Sequence, residues 1–180
     1  MPSPSNRVWN KRLELLAFLG GLGLFLAAVE YLFPRPLPFF RLGLANLPLL
    51  LALGRFHFKE LFLLTTLKVV GQGLINGTLA SYVFLFSAIG SFASLFLMVG
   101  AHRLAGRHVS LVGLSLLGAL GSNVAQVFLS INFLFGSSAW IITPLFIGLG
   151  TFSGFFIGLF AQNFSQKSLW WARICNGLED

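Results

Sequence analysis

From Leu13 to Phe164 the chain is one apolar run after another, broken only by short basic clusters or by turns that carry no charge. A soluble domain has no means of covering so much continuous apolar surface. In a bilayer each run must satisfy its own backbone N–H and C=O groups, and a helix does that within one segment. Only 9% of the 180 residues are charged, where a soluble domain carries about 25%. The length accommodates roughly five to seven spans of about 20 residues. The pattern predicts an all-α, polytopic membrane bundle with six transmembrane helices. Residues 1–12 then form a cytoplasmic N-terminal segment, 13–166 the membrane domain and 167–180 a cytoplasmic interfacial tail.

The first span is expected over Leu13–Phe33; it exceeds the roughly 7–15 residues of a signal-peptide core, so it stays uncleaved. Pro34, Pro36 and Pro38 end it in a stiff connection. The second run, Phe39–Gly54, is short and interrupted by Pro48. Spans three to six are expected at about Leu61–Ile75, Ser81–Ala101, Ser110–Leu134 and Trp140–Phe164. Asn76-Gly77-Thr78 and Gly136-Ser137-Ser138 read as tight turns. Gly150, Gly154 and Gly158 repeat at the four-residue spacing of a close-packing helix face. Lys167, Trp170, Trp171 and Arg173 read as an interfacial anchor.

A formal charge of +7 invites a nucleic-acid reading. The basic residues, however, lie in short clusters between apolar runs, which is the pattern of cytoplasmic loops. Nine of the twelve Lys and Arg residues fall at the termini and in the loops near residues 57 and 105; only Arg35 and Arg41 fall on the other side, and Lys68 lies within a span. The positive-inside rule puts both termini in the cytoplasm. The single cysteine, Cys175, excludes a disulfide framework and a Cys-based metal site. His57, His102 and His108 lie in basic loops and read as solvated, so no metal or cofactor is expected.

Within the third span, Lys68, Gln72 and Asn76 recur every four residues and share one helix face, with Gly71, Gly73 and Gly77 beside them. A lysine at that depth costs roughly 2.5–3.5 kcal/mol on insertion scales and calls for a partner, a water-filled cavity or a ligand. The alternatives are an ion pair with a carboxylate, or a side chain that snorkels to the interface. Other polar groups fall at a similar depth: Glu30 near the outer end of span one, Arg41 and Asn46 in span two, Asn123 and Gln126 at i, i+3 in span five. These eight residues form the candidate substrate site, in a cavity open to the outside and closed below. Lys68 and Arg41 favour an anionic or carbonyl-rich ligand, and Phe-rich walls would tolerate an apolar portion. Amides acting only as interhelical glue, at about 0.6 kcal/mol each, would account for any one of them but less well for their shared depth.

Span one also carries Ala17, Gly21, Gly23 and Ala27, small residues that let another helix approach. They serve either packing within the bundle or docking of a partner subunit.

Glu30, the proline-rich connection and Arg41-Leu-Gly-Leu-Ala-Asn46 together resemble the Gx transporter family, also called the membrane component I family of heptaprenyl diphosphate synthase. The resemblance continues through Lys59-Glu60, Lys68, Gly71 and Gly77, then through Val112–Gly118 and Asn123-Val-Ala-Gln126, and so covers most of the chain. Members often carry Arg in place of Lys68, and His in place of Ser122, differences that bear on substrate more than on fold. The family in turn is similar to the S components of energy-coupling factor transporters. The resemblance implies a bacterial inner-membrane subunit that captures a small molecule and docks on a transmembrane T subunit and ATPase subunits.

The chain has one aspartate, Asp180, whereas polyprenyl diphosphate synthases hold Mg²⁺–diphosphate on clustered aspartates. It has no Gly-x4-Gly-Lys-Ser/Thr loop for nucleotide phosphates. No Ser–His–Asp or Cys–His set is placed to act, so a non-enzymatic role is expected. A membrane partner of an isoprenoid or quinone synthase, and a stand-alone carrier, are the alternatives to the S-component-like reading.

Overall fold

The computed structural model describes residues 4–32 and 43–176; Arg41 and the proline-rich connection lie outside them. The described residues are helical with short connections. Helix α1 spans Pro4–Leu32, so the basic N-terminal segment continues directly into the first apolar run as one helix. After a 3₁₀ turn at Leu44–Asn46, helix α2 covers only Leu47–Ala52, with Pro48 in its first turn. Then follow α3 (Phe58–Ile75), α4 (Tyr82–Ala105), α5 (Leu111–Ser130), α6 (Ala139–Lys167) and α7 (Leu169–Asn176).

Four helical segments are long and apolar enough to cross a membrane: Trp9–Leu32, Tyr82–Ala105, Leu111–Phe135 and Ala139–Lys167. This is the make-up of a helical membrane protein, but by length and composition it stops short of the six spans expected. Two runs account for the difference. Helix α3 has 18 residues and carries Lys59, Glu60 and Lys68. Helix α2 has six residues, about 9 Å at 1.5 Å per residue.

The short second segment nevertheless runs the length of α1. At one end the Gly43 N–H donates to Glu30 Oε1 at 3.0 Å. In the middle Pro48 lies against Gly23, where an added Cβ would sit 3.7 Å from its ring. At the other end Arg12 Nη2 donates to the Arg55 carbonyl at 3.5 Å. Residues 43, 48 and 55 thus meet residues 30, 23 and 12, which is an antiparallel pairing. Helix α3 runs parallel to α1: Glu60 accepts from Arg12 at 3.1 Å, Leu64 and Leu67 meet Gly20, and Gly71 meets Leu24.

Local signals set the helix ends. The His57 N–H donates to Glu60 Oε2 at 2.7 Å, the carboxylate half of a capping box at the start of α3. At its end Thr78 N bonds Gly73 O and Gly77 N bonds Leu74 O, with Gly77 at φ 63°, which is a Schellman motif. Ser110 Oγ accepts from Gly113 N at 3.1 Å and starts α5. A π-helical turn, Ile131–Phe135, extends α5 before Gly136 turns the chain.

Helices α4, α5 and α6 pack antiparallel and close together. A Cβ on Gly158 would lie 2.7 Å from Val112 Cα, and one on Gly154 would lie 2.8 Å from Ala119 Cβ. The face expected at Gly150, Gly154 and Gly158 is therefore the one that meets α5. The main apolar core joins Leu15 and Leu19 of α1, Leu49–Leu53 around α2, Leu61 and Leu64, Leu95 and Met98, Leu114, Ala161 and Trp171. A second, smaller cluster of Phe86, Leu129 and Phe146 occupies the opposite end. The C-terminal aromatic pair divides. Trp170 is about half exposed, whereas Trp171 is buried in the main core with the Arg55 guanidinium 5.3 Å from its ring. The interfacial anchor expected there is corrected for Trp171, which packs inside the bundle.

Candidate functional site

Between the two apolar clusters lies a cavity of about 50 Å³. Six of the eight residues singled out from the sequence line it: Glu30 from α1, Asn46 from the turn before α2, Lys68 and Gln72 from α3, and Asn123 and Gln126 from α5. All but Asn46 are buried, Gln72 at 1% exposure. Asn76 is not among the lining residues; it forms the C-cap of α3, beyond the last turn that faces the chamber. The stripe on α3 thus ends at Gln72.

Lys68 Nζ donates to Asn46 Oδ1 at 2.5 Å and to Ser91 Oγ at 3.2 Å. Its amine therefore stays in the chamber and does not snorkel. On α5, Gln126 Nε2 donates to Ser122 Oγ at 3.2 Å, and both groups occupy the room left by Gly90 of α4. Asn123 Nδ2 donates to the Phe146 carbonyl at 3.2 Å. Its amide lies where a side chain on Gly150 would stand, so Gly150 is what lets α5 present Asn123 to α6. Ser115 Oγ donates to Gly154 O at 2.7 Å.

The reading from the sequence missed the hydroxyls. Ser87, Ser91 and Ser94 of α4 line the cavity together with Ser115 and Ser122 of α5. The first three recur at i, i+4 and i+7, a helical stripe readable from spacing alone; set in an apolar run, small serines resemble packing residues. The expected Phe-rich walls are not found. Among the described residues the lining is aliphatic where it is apolar, through Leu50, Met98 and Ile157.

Two buried ionisable groups, four amides and five hydroxyls thus face one small volume. What such a lining offers to anything within it is hydrogen bonds and charge, not bulk apolar contact. At roughly 10–15 Å³ per water, the space as it stands holds a few water molecules. Among the described residues no group of His, Cys, Asp and Glu is gathered to hold a metal ion. Of the histidines expected in loops, His57 is well exposed and its Nδ1 lies 3.1 Å from Arg12 Nη2, while His102 lies in the last turn of α4, packs over Gly54 and is not freely solvated.

The family described as heptaprenyl diphosphate synthase component I matches residues 19–164, from the middle of α1 to the end of α6. The chain belongs to that family. The matched stretch contains every described lining residue of the chamber, while the N-terminal half of α1 and all of α7 fall outside it. No curated protein and no solved structure matches the chain.

The face expected to dock a partner divides in two. Gly23 and Ala27 are buried within the bundle, Gly23 against Pro48 and Ala45. Ala17 and Gly21 are exposed, and among the described residues nothing lies within 4 Å of the space a Gly21 Cβ would fill. The internal-packing alternative applies to the first pair, and only the second remains available to a partner.

Proposed function

We propose that this component I protein is a substrate-binding membrane subunit, S-component-like, for uptake of a small polar solute, with no catalytic activity of its own. The observation that carries this reading is the chamber around Lys68, where polar side chains from five separate segments converge on one buried volume. Interhelical glue needs partners in pairs; eleven polar side chains around a space larger than one water are more than pairing requires. The solute is anionic or carbonyl-rich, meeting Lys68 and the amide donors, and any apolar part is aliphatic and small. A metabolite needs a pocket of roughly 300 Å³ or more, so loading requires the chamber to expand.

In this reading the segment 43–56 is the second of six crossings, both termini are cytoplasmic, and the protein resides in a bacterial inner membrane. The parallel run of α1 and α3 supports six crossings, since the chain between them must return. The positive-inside distribution supports the orientation. ATPase subunits and a T subunit would dock where Ala17 and Gly21 are exposed. Mass spectrometry of small molecules released from gently solubilised protein tests the reading directly: a stoichiometric polar solute supports it, and an empty chamber in protein that stays folded opposes it.

A second reading is favoured by the family's own description, which names a component of a synthase. Here the chain is a non-catalytic membrane partner of an isoprenoid or quinone enzyme, and affinity purification would recover a soluble synthase in place of ATPase subunits. A stand-alone carrier would transport solute with neither.

A further inference from the structure

A second cavity, about 400 Å³, lies in the groove between α1 and α7. On α1 it is lined by Lys11, Glu14, Leu15 and Phe18, which at i, i+3, i+4 and i+7 share one helix face. On α7 it is lined by Trp170, Arg173 and Ile174, again one face. The groove is graded. Lys11, Glu14 and Arg173 are exposed at its rim, Leu15 is buried in its wall, and Phe18 and Trp170 meet edge to face at 5.4 Å. Lys11 and Glu14 fall in the first turns of the candidate span Trp9–Leu32, which sets the groove at the end of the membrane-crossing segment. A half-exposed Trp at that level is the residue that favours the headgroup layer.

We infer that this groove is a binding site for one anionic phospholipid. The phosphodiester sits between Lys11 and Arg173, and the glycerol and first methylenes lie on Phe18 and Trp170. Two cations against one carboxylate leave the rim net positive, which selects an anionic over a zwitterionic headgroup. Basic residues that engage such a headgroup contribute about 1 kcal/mol each, or roughly a five-fold change in affinity. The volume suits a headgroup with the start of its chains and far exceeds what a bare ion fills. The site is independent of the chamber: it shares no lining residue with it and all of its lining lies outside the family match.

The test uses the full chain in detergent, titrated with dioleoyl phosphatidylglycerol or dioleoyl phosphatidylcholine and followed by native mass spectrometry and thermal melting. One phosphatidylglycerol should be retained per chain and raise the melting temperature, with phosphatidylcholine binding several-fold more weakly. Lys11→Gln and Arg173→Gln should each weaken phosphatidylglycerol about five-fold and bring it towards phosphatidylcholine. Equal retention of the two lipids, or phosphatidylglycerol binding unchanged in both variants, overturns the proposal. If neither variant folds, a photoactivatable phosphatidylglycerol on the unaltered protein decides: cross-links concentrated in residues 11–18 and 169–174 support the site. Cross-links spread over α4 to α6, or blocked by a co-purifying protein seated on α1, reject it.

Discussion

The Nζ of Lys68 donates to Asn46 Oδ1 at 2.5 Å, tying the middle of α3 to the turn that leads into the six-residue α2. Through this bond the least regular part of the bundle is held to the polar stripe of a regular helix. The same nitrogen donates to Ser91 on α4, so one side chain links three segments around the chamber.

Lys68→Met keeps length and apolar bulk and removes the charge, which relieves its insertion cost. Asn46 and Ser91 lose a donor, but they face a chamber where water can replace it. The melting temperature should hold or rise, while affinity for the co-purified solute falls by roughly 1.5–3 kcal/mol, as for a lost charged hydrogen bond. Thermal melting with and without solute measures both. A variant that melts lower and binds normally would show that the lysine is structural.

Gly150→Ala puts a methyl group where the Asn123 amide lies. The amide must leave the Phe146 carbonyl or α6 must move away from α5, at about 1–3 kcal/mol. Gly148→Ala, two residues away, meets nothing within 4 Å among the described residues and should change stability by no more than about 0.5 kcal/mol. Melting of the two variants side by side checks the contrast.

Gly21→Leu extends into open space, whereas Gly23→Leu runs into Pro48 and Ala45. The first should leave yield and melting temperature unchanged but reduce recovery of the docked partner in affinity purification. The second should lower the melting temperature regardless of partner. Normal partner recovery with Gly21→Leu would move the docking face elsewhere.

Ser138 and His108 are exposed at opposite ends of α5. With Cys175 replaced by Ser, a cysteine at Ser138 should react with an impermeant thiol reagent in intact cells, and one at His108 only after permeabilisation. The reverse result inverts the topology.

The apolar runs and the turn at Gly77 were legible in the sequence because each depends on neighbours within a few residues. So was the stripe of Lys68 and Gln72, because helical periodicity puts them on one face whatever surrounds the helix. Tertiary packing decided the rest. Whether a small residue docks a partner or seats a neighbour depends on what lies opposite: Gly23 meets Pro48, while Gly21, two residues away on the other face, meets nothing within 4 Å among the described residues. Trp170 and Trp171 are adjacent in sequence and chemically identical, yet α7 folds back so that one faces outward and the other fills the core. The serines of α4 become a polar wall only because Asn46, Lys68 and Gln126 converge opposite them, and no local pattern encodes that convergence.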